Sequence, residues 1–291
     1  MDDKRAALLR GAFEKYLAKM KAGDSDVTGS YLPYDLDELD SVQWCQFGGM
    51  MVEDELRELI NELNQWYGSL RKWEAWNAVL DSYGDLTDAW DIRIEFLEGT
   101  AHRCLYKPSS MRDTFTLLAT NSMHQACLAS DPQYKDSLPS DPPDPKKPHH
   151  LTRRKKEQFL AQQIKSAPNS KAFLDALFKL DDVGYRKQTS DYRNRTSHAI
   201  GPRMGVGITN TVTRSIVQAT ELQEQPDKTF QLVDVPGRIN IQYGFGGTEP
   251  LDMVEALKAN REQYERAKLC YFEYRKMLLS GLACMPRAGE T

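Results

Sequence analysis

Apolar residues recur at intervals of three and four along most of this chain, which is the spacing of amphipathic helices. Leu8, Leu9, Phe13, Tyr16, Leu17 and Met20 predict a helix from Asp2 to about Lys21. GDSDVTGSYLPYD breaks it, and Leu56, Leu59, Ile60, Leu63, Trp66, Tyr67, Leu70 and Trp73 predict a second helix from Val52 to about Tyr83. Gly84 is placed to end that helix as a C-cap, and Asp85 or Thr87 to cap the next. The third helix carries Trp90, Ile94, Leu97 and Ala101 and is expected to stop before Pro108, because proline lacks the N–H that a helix interior needs. A fourth runs from about Ser110 to Leu128. Further on, Thr152 is an N-cap for LTRRKKEQFLAQQIKS. Asn169 or Ser170 caps KAFLDALFKLDDVGYRKQ, whose apolar face is Phe173, Leu174, Leu177 and Phe178. The closing helix, about Leu251 to Gly281, shows Leu257, Tyr264, Ala267, Tyr271, Tyr274 and Leu278 as a bundle-type seam.

Two stretches depart from this period. DPQYKDSLPSDPPDPKKPHH, residues 131–150, holds six prolines and predicts an irregular, mobile loop or linker. After Pro202, TNTVTRSIVQA, TFQLVDV and RINIQYGF are short and rich in Val, Ile, Thr and aromatics, as strands are. Pro236-Gly237 stands between the last two, where a type II turn would want it. The expected fold class is therefore mainly α, a helical bundle with a small inserted antiparallel β-sheet. The expected organisation is an N-terminal helical region (1–130) packing on the bundle, a Pro-rich loop (131–150), and a C-terminal region (151–291) interrupted by the β insertion at about 204–247.

Composition narrows the function classes. The chain has 291 residues, enough for a sizeable core, and a formal net charge of −4. A protein that coats nucleic acid non-specifically is usually basic, so any nucleic-acid role must use a local patch. Five scattered cysteines without a C-x-x-C spacing predict reduced thiols and a cytoplasmic setting. The opening residues carry charges and no apolar core of a leader, and no apolar run of membrane-spanning length occurs, so neither a signal peptide nor a membrane partner is expected.

The densest cluster of chemistry is DYRNRTSHAIGP, residues 191–202. It contains one of only five histidines, His198, with Arg193 and Asn194 just before it and Gly201-Pro202 just after. Histidine suits proton transfer because its ordinary pKa, about 6.5, lies near cellular pH. Arginine suits a phosphate because its planar fork donates two hydrogen bonds and stays charged. In a helix, Asn194 and His198 are i,i+4 and share a face, so Asn194 could orient the imidazole or hold a phosphate oxygen. Arg193 points about 140° away and must wrap round or serve a facing subunit. Arg186, Lys187, Arg195 and Arg203 surround the motif and are the candidate RNA-binding cations. The competing reading makes His198 a buried residue bonded to Asn194, with Arg193 paired to Asp191 or Asp181.

RNRTSH resembles the R-x4–6-H signature of the HEPN superfamily (higher eukaryote and prokaryote nucleotide-binding domains), including the polar residue after the Arg. FLDALFKLDDVGYRKQTSDYRN is similar to the helix leading into that motif in bacterial members, so the resemblance covers about residues 170–202. The strand-rich segment after Pro202 departs from the minimal helical domain. The resemblance implies a metal-independent endoribonuclease without cofactors, in which two motifs meet across a homodimer and His198, Arg193 and Asn194 act on RNA. It also implies a place in bacterial defence, abortive infection or a toxin–antitoxin pair, with an antitoxin or defence protein as partner. The runner-up is a catalytically silent HEPN-like module binding nucleotide, RNA or a protein. An unrelated helical structural protein is the third reading.

Other candidates carry less. His102-x-Cys104 and His124-x-x-Cys127 offer four soft ligands, but their spacing matches no common zinc motif and buried cysteine is normally a small hydrophobe, so no metal is expected. YGFGGTEP lacks the Lys-Ser/Thr of a phosphate loop and reads as a strand-to-helix turn. Five tryptophans between Trp44 and Trp90 offer stacking surfaces but sit at core spacing. RRKK, 153–156, reads as a solvated face that could steer RNA.

Overall fold

The computed structural model describes residues 3–23, 29–144, 146–147 and 149–288. Asp2, part of the break after the first helix, and Pro145 and Pro148 of the proline cluster lie outside them. The helices are α1 (Asp3–Ala22), α2 (Gly48–Leu80), α3 (Leu86–Ile92), α4 (Glu98–Ser130), α5 (Arg153–Gln163), α6 (Ser170–Leu177), α7 (Val183–Gln188), α8 (Tyr192–His198) and α9 (Met253–Leu282). Two strands, β1 (Thr209–Glu224) and β2 (Phe230–Thr248), separate α8 from α9. Contacts divide the chain into a helical unit, running to Arg193 and resuming at Met253, and a second unit, Asn194–Asp252. The fold is mainly helical with a two-stranded antiparallel sheet.

In the helical unit α2, α4 and α9 pack on one another, α1 lies on α2, α5 on α4, and α6 and α7 on α9. The predicted apolar stripes supply the core. Trp66 and Trp73 of α2, Phe115 of α4, Phe173 of α6 and Tyr264, Tyr271 and Tyr274 of α9 are fully enclosed. Trp76 is stacked between Tyr16 of α1 and Phe96, 4.5 Å and 4.4 Å between ring centroids. These tryptophans are packing, not stacking platforms, and the tyrosine seam of α9 is spent inside its own chain.

Several boundaries differ from the sequence expectation. Helix α2 ends at Leu80 with Asp81 as its C-cap, so Gly84 does not cap it. Asp85 caps α3, accepting the backbone N–H groups of Thr87 and Asp88. The chain does not stop before Pro108. It continues from α3 through a π-helical turn, Arg93–Leu97, into α4, with Pro108 buried inside the helix. Proline removes the donor for the carbonyl four residues back, that of Cys104. Asn260 of α9 replaces it, its Nδ2 donating to Cys104 O at 2.9 Å. The same amide donates to Tyr185 Oη at 2.8 Å, Tyr185 donates on to Leu105 O at 3.2 Å, and Trp66 Nε1 donates to Asn260 Oδ1 at 2.8 Å. The predicted single helix 170–188 is two, α6 and α7. They are separated where Asp181 takes a left-handed φ of 51° and Asp182 caps α7 by accepting from Tyr185 N. Asn169 is the N-cap residue of α6 without a capping bond, and its amide donates to Ser280 Oγ instead. Thr152 caps α5 by accepting from Lys155 N. The described part of 131–150 holds turns only, tied to α4 where His124 meets Tyr134 and Asp136 at 3.2 Å and 2.9 Å.

The sheet of the second unit is one long hairpin, not three short strands. Its reversal is at Gln225–Thr229, where Lys228 takes the left-handed region and Thr229 bonds back to Asp227. Pro236-Gly237 is not a turn between strands. It lies in a bulge, residues 235–238, inserted between the pairs Gln218↔Ile239 and Thr220↔Asp234. Gln218 Nε2 clamps the bulge by donating to Val235 O and Arg238 O, and Gly237 supplies the positive φ it needs. At the hairpin's base, Leu251 N donates to Arg203 O and Gly205 N to Leu251 O, both at 2.8 Å.

Candidate active site

The motif begins after a tight reversal. Ser190 and Asp191 both take φ of 51°, and Asp191 N donates to Arg186 O at 2.6 Å, closing α7 and aiming the chain into α8. Tyr192 then anchors α8. It is buried, its Oη lies 2.8 Å from His102 Nδ1 of α4, and its ring meets those of His102 and Tyr106 edge-on. Arg193 follows directly and is thereby fixed at the wall of a pocket of about 460 Å³.

One wall of this pocket is the polar face of α4, from Tyr106 through Ser110, Asp113 and Thr114 to Thr120 and Asn121. Phe159 and Lys156 of α5, Leu151, Pro139, Ser140 and Arg193 complete it. Its carboxylate, Asp113, is held by Arg153 through two contacts of 2.6 Å, and Lys156 and Arg193 are its basic lining residues. Arg153 also reaches Ser109 and Asp181, which makes it a brace between α4 and the α6–α7 junction. Of RRKK, then, Arg153 is structural, Arg154 and Lys155 face solvent, and Lys156 lines the pocket.

The rest of the motif belongs to the second unit. Asn194 and Arg195 are half-buried, and His198, one helical turn after Asn194, is exposed. His198 is therefore not the enclosed core histidine of the competing reading. That description fits His124, whose side chain is buried on α4. Arg195 donates to Thr248 Oγ1 at 2.8 Å, tying α8 to the end of β2. Arg203 is exposed beside Gly207, where an added Cβ would come within 3.1 Å of its guanidinium. Lys187 is exposed on α7. Arg186 shares the buried carboxylate of Asp181 with Arg153, at 2.7 Å and 3.1 Å, so its charge is already engaged.

The α4 wall of the pocket was invisible to the sequence reading. Ser110, Asp113, Thr114, Leu117, Thr120 and Asn121 fall at helical intervals, but a helix assumed to break at Pro108 does not join them to Tyr106. As for a metal, His102 and His124 lie 22 positions apart on one helix, about 33 Å along its axis. Among the described residues no group of three or more His, Cys, Asp or Glu is placed to hold an ion. Nor is any helix among them long and apolar enough to cross a membrane. Comparisons of this chain with protein-family models, curated proteins and solved structures found no match.

Proposed function

We propose that this chain is a metal-independent endoribonuclease of HEPN type, cytoplasmic, acting in bacterial defence or a toxin–antitoxin pair. The observation that carries the reading is the exposed imidazole of His198, one turn after Asn194, in the RNRTSH cluster whose residue types suit RNA cleavage. In the proposed step the RNA's 2′-oxygen attacks the adjacent phosphorus and the bond to the 5′-oxygen breaks. His198 removes the 2′-OH proton or supplies one to the leaving oxygen. Arg193 holds the charge that builds on the phosphoryl oxygens. One histidine cannot readily serve as base and acid in the same event, so two copies of the motif share the work across a homodimer. The pocket suits a nucleotide, with Tyr106 and Phe159 for the base and Lys156 for a phosphate. That pocket also favours a second reading, in which the same residues bind a nucleotide, RNA or an antitoxin-like partner without cleavage.

The test is cleavage of RNA by the full chain in EDTA. His198→Ala is expected to lower the rate about 10²–10⁴-fold, and Arg193→Ala by a similar factor. Asn194→Ala is milder, since orientation alone is lost. Products end in 2′,3′-cyclic or 3′-phosphate, and a 2′-deoxy substitution at the cut blocks it. The melting temperature of His198→Ala should match the parent, because the ring is exposed. Cleavage by His198→Ala at the parent rate, or loss of cleavage in EDTA, overturns the assignment. RNA binding without any cleavage selects the second reading.

A further inference from the structure

The pocket between α4 and α5 has two chemically different ends. Glu157 meets Arg112 and Gln163 donates to Thr120 O, so α5 runs beside α4 in the same sense, each residue level with one 43–45 positions earlier. Lys156 therefore stands near the level of Arg112, and Phe159 about one turn further on. Thr120 and Asn121 form the far end, about 12 Å along the axis from the level of Lys156. The hydrogen-bond polarity of that far end is fixed. Thr120 gives its hydroxyl proton to Thr116 O at 2.7 Å, and Thr116 gives its own to Arg112 O at 2.8 Å. Each hydroxyl oxygen keeps only lone pairs for a ligand. Asn121 turns its amide nitrogen to Glu55 Oε1 of α2, at 2.6 Å, because an ionised carboxylate can only accept. Its carbonyl oxygen is thereby turned away from Glu55. The far end is an acceptor end. At the other end Asp113 is already met by Arg153, and the exposed Lys156 is a donor for an anion.

We propose that this pocket takes a nucleoside 5′-monophosphate and selects a base with an exocyclic amino group, adenine or cytosine, over its oxo counterpart. The inference rests on the nucleotide reading of the pocket given above, and not on cleavage. The phosphate meets Lys156, the base lies on the half-buried ring of Phe159, and the amino group points at Thr120 and Asn121. An amino group brings two N–H donors to a wall that offers lone pairs. An oxo group in the same place sets acceptor against acceptor and leaves both without a partner. The separation of the two ends is one that a mononucleotide bridges, and about 460 Å³ is within the range of small-ligand pockets. The hydroxyl of Thr114 lies between the ends, where the ribose passes.

Calorimetric titration of the full chain with two pairs of ligands tests this. Adenosine and inosine 5′-monophosphates differ by amino against oxo at one ring carbon, and cytidine and uridine 5′-monophosphates differ in the same way. The amino member of each pair should bind about tenfold tighter or more. Thr120→Val keeps the shape of the side chain and removes the acceptor, so it should narrow the gap within each pair, and Thr120→Ser should restore it. Lys156→Met should weaken adenosine 5′-monophosphate about tenfold and leave the gap as it was. Lys156 is exposed, so that variant tests the pocket even where Thr120→Val fails to fold. Equal affinities within each pair overturn the base preference. No binding of any of the four at millimolar concentration overturns the ligand. Binding indifferent to Lys156→Met and to Thr120→Val overturns the assignment to this pocket. RNA cleavage by a chain that binds none of the four removes this inference alone. An amino preference in a chain that cleaves no RNA leaves it standing and removes the ribonuclease reading.

Discussion

Phe115 and Phe245 are the same side chain in opposite circumstances. Phe115 sits on α4 with none of its surface exposed, while Phe245 sits on β2 with 85% of it in water. The contrast extends to their surroundings. The helical unit encloses its central aromatic residues, Trp66, Trp73, Phe115 and Phe173 among them, and pairs even awkward backbone groups, as Asn260 does for Cys104 O. The hairpin unit carries its apolar side chains on the outside and keeps its polar clamps, such as Gln218, within its own backbone. Hydrophobic content is thus no guide to what an element does for its own chain. In the helices it builds the core, and in the hairpin it is left for something else to cover.

The largest expected effect tests that contrast directly. Phe115→Ala should destabilise the helical unit by about 3–5 kcal/mol, as loss of a buried aromatic does. Phe245→Ala should change the same unfolding transition by less than about 0.5 kcal/mol in urea monitored by helical circular dichroism. Equal costs would erase the distinction. A smaller effect is expected at the polar centre of the helical unit. Asn260→Ala strands a buried carbonyl and an indole N–H and removes one of the two hydrogen bonds of the Tyr185 phenol, and should cost about 2–4 kcal/mol. Adding Pro108→Ala restores a backbone N–H within reach of Cys104 O and should recover about 1 kcal/mol, a coupling that a double-mutant cycle reads. Strictly additive costs would show that the amide does not replace the missing helix donor.

The smallest effect is in pH. Burial raises the Glu55 carboxyl above its ordinary range, with the 2.6 Å bond from Asn121 opposing the shift. Its native form binds protons more readily than the unfolded chain, so this group makes the helical unit more stable as pH falls from neutral through the raised value. Asp227 in the hairpin turn has the opposite sign. The Thr229 hydroxyl and backbone N–H hold its carboxyl below the usual range, so its contribution is present above the unfolded value and is lost as pH falls through the depressed one. Glu55→Gln should flatten the first dependence, read in thermal melts. Asp227→Asn should flatten the second, read in amide protection of the turn. Matching slopes for the two units would contradict these assignments.

The period of each segment was legible without coordinates. Helical spacing located α1, α2, α5 and α9 to within a few residues, and β-branched composition located the strands. What stayed hidden depends on residues distant in sequence. Pro108 looks like a stop until Asn260, 152 positions later, supplies the donor for Cys104. Pro236-Gly237 looks like a turn until the register shows β2 continuing past it. The α4 wall of the pocket followed the first of these out of view. The RNRTSH helix was recognisable as a cluster of chemistry, and His198 within it is exposed and not part of the core. Arg186, by contrast, reads as a surface cation in the sequence and is committed to the buried Asp181 in the fold.

Asn260 also sets an order of events. Its amide is bonded to groups on α2, α4 and α7, and its partner Trp66 is 194 residues away in sequence. A chain still emerging from the ribosome has synthesised α4 in full, proline included, long before residue 260 exists. Until then the Cys104 carbonyl and the Trp66 indole lack the partner they have in the finished fold. The helical unit therefore cannot lock until α9 arrives, across a loop that includes the whole hairpin. Its consolidation belongs to the end of synthesis, and folding that depends on so distant a contact is slow.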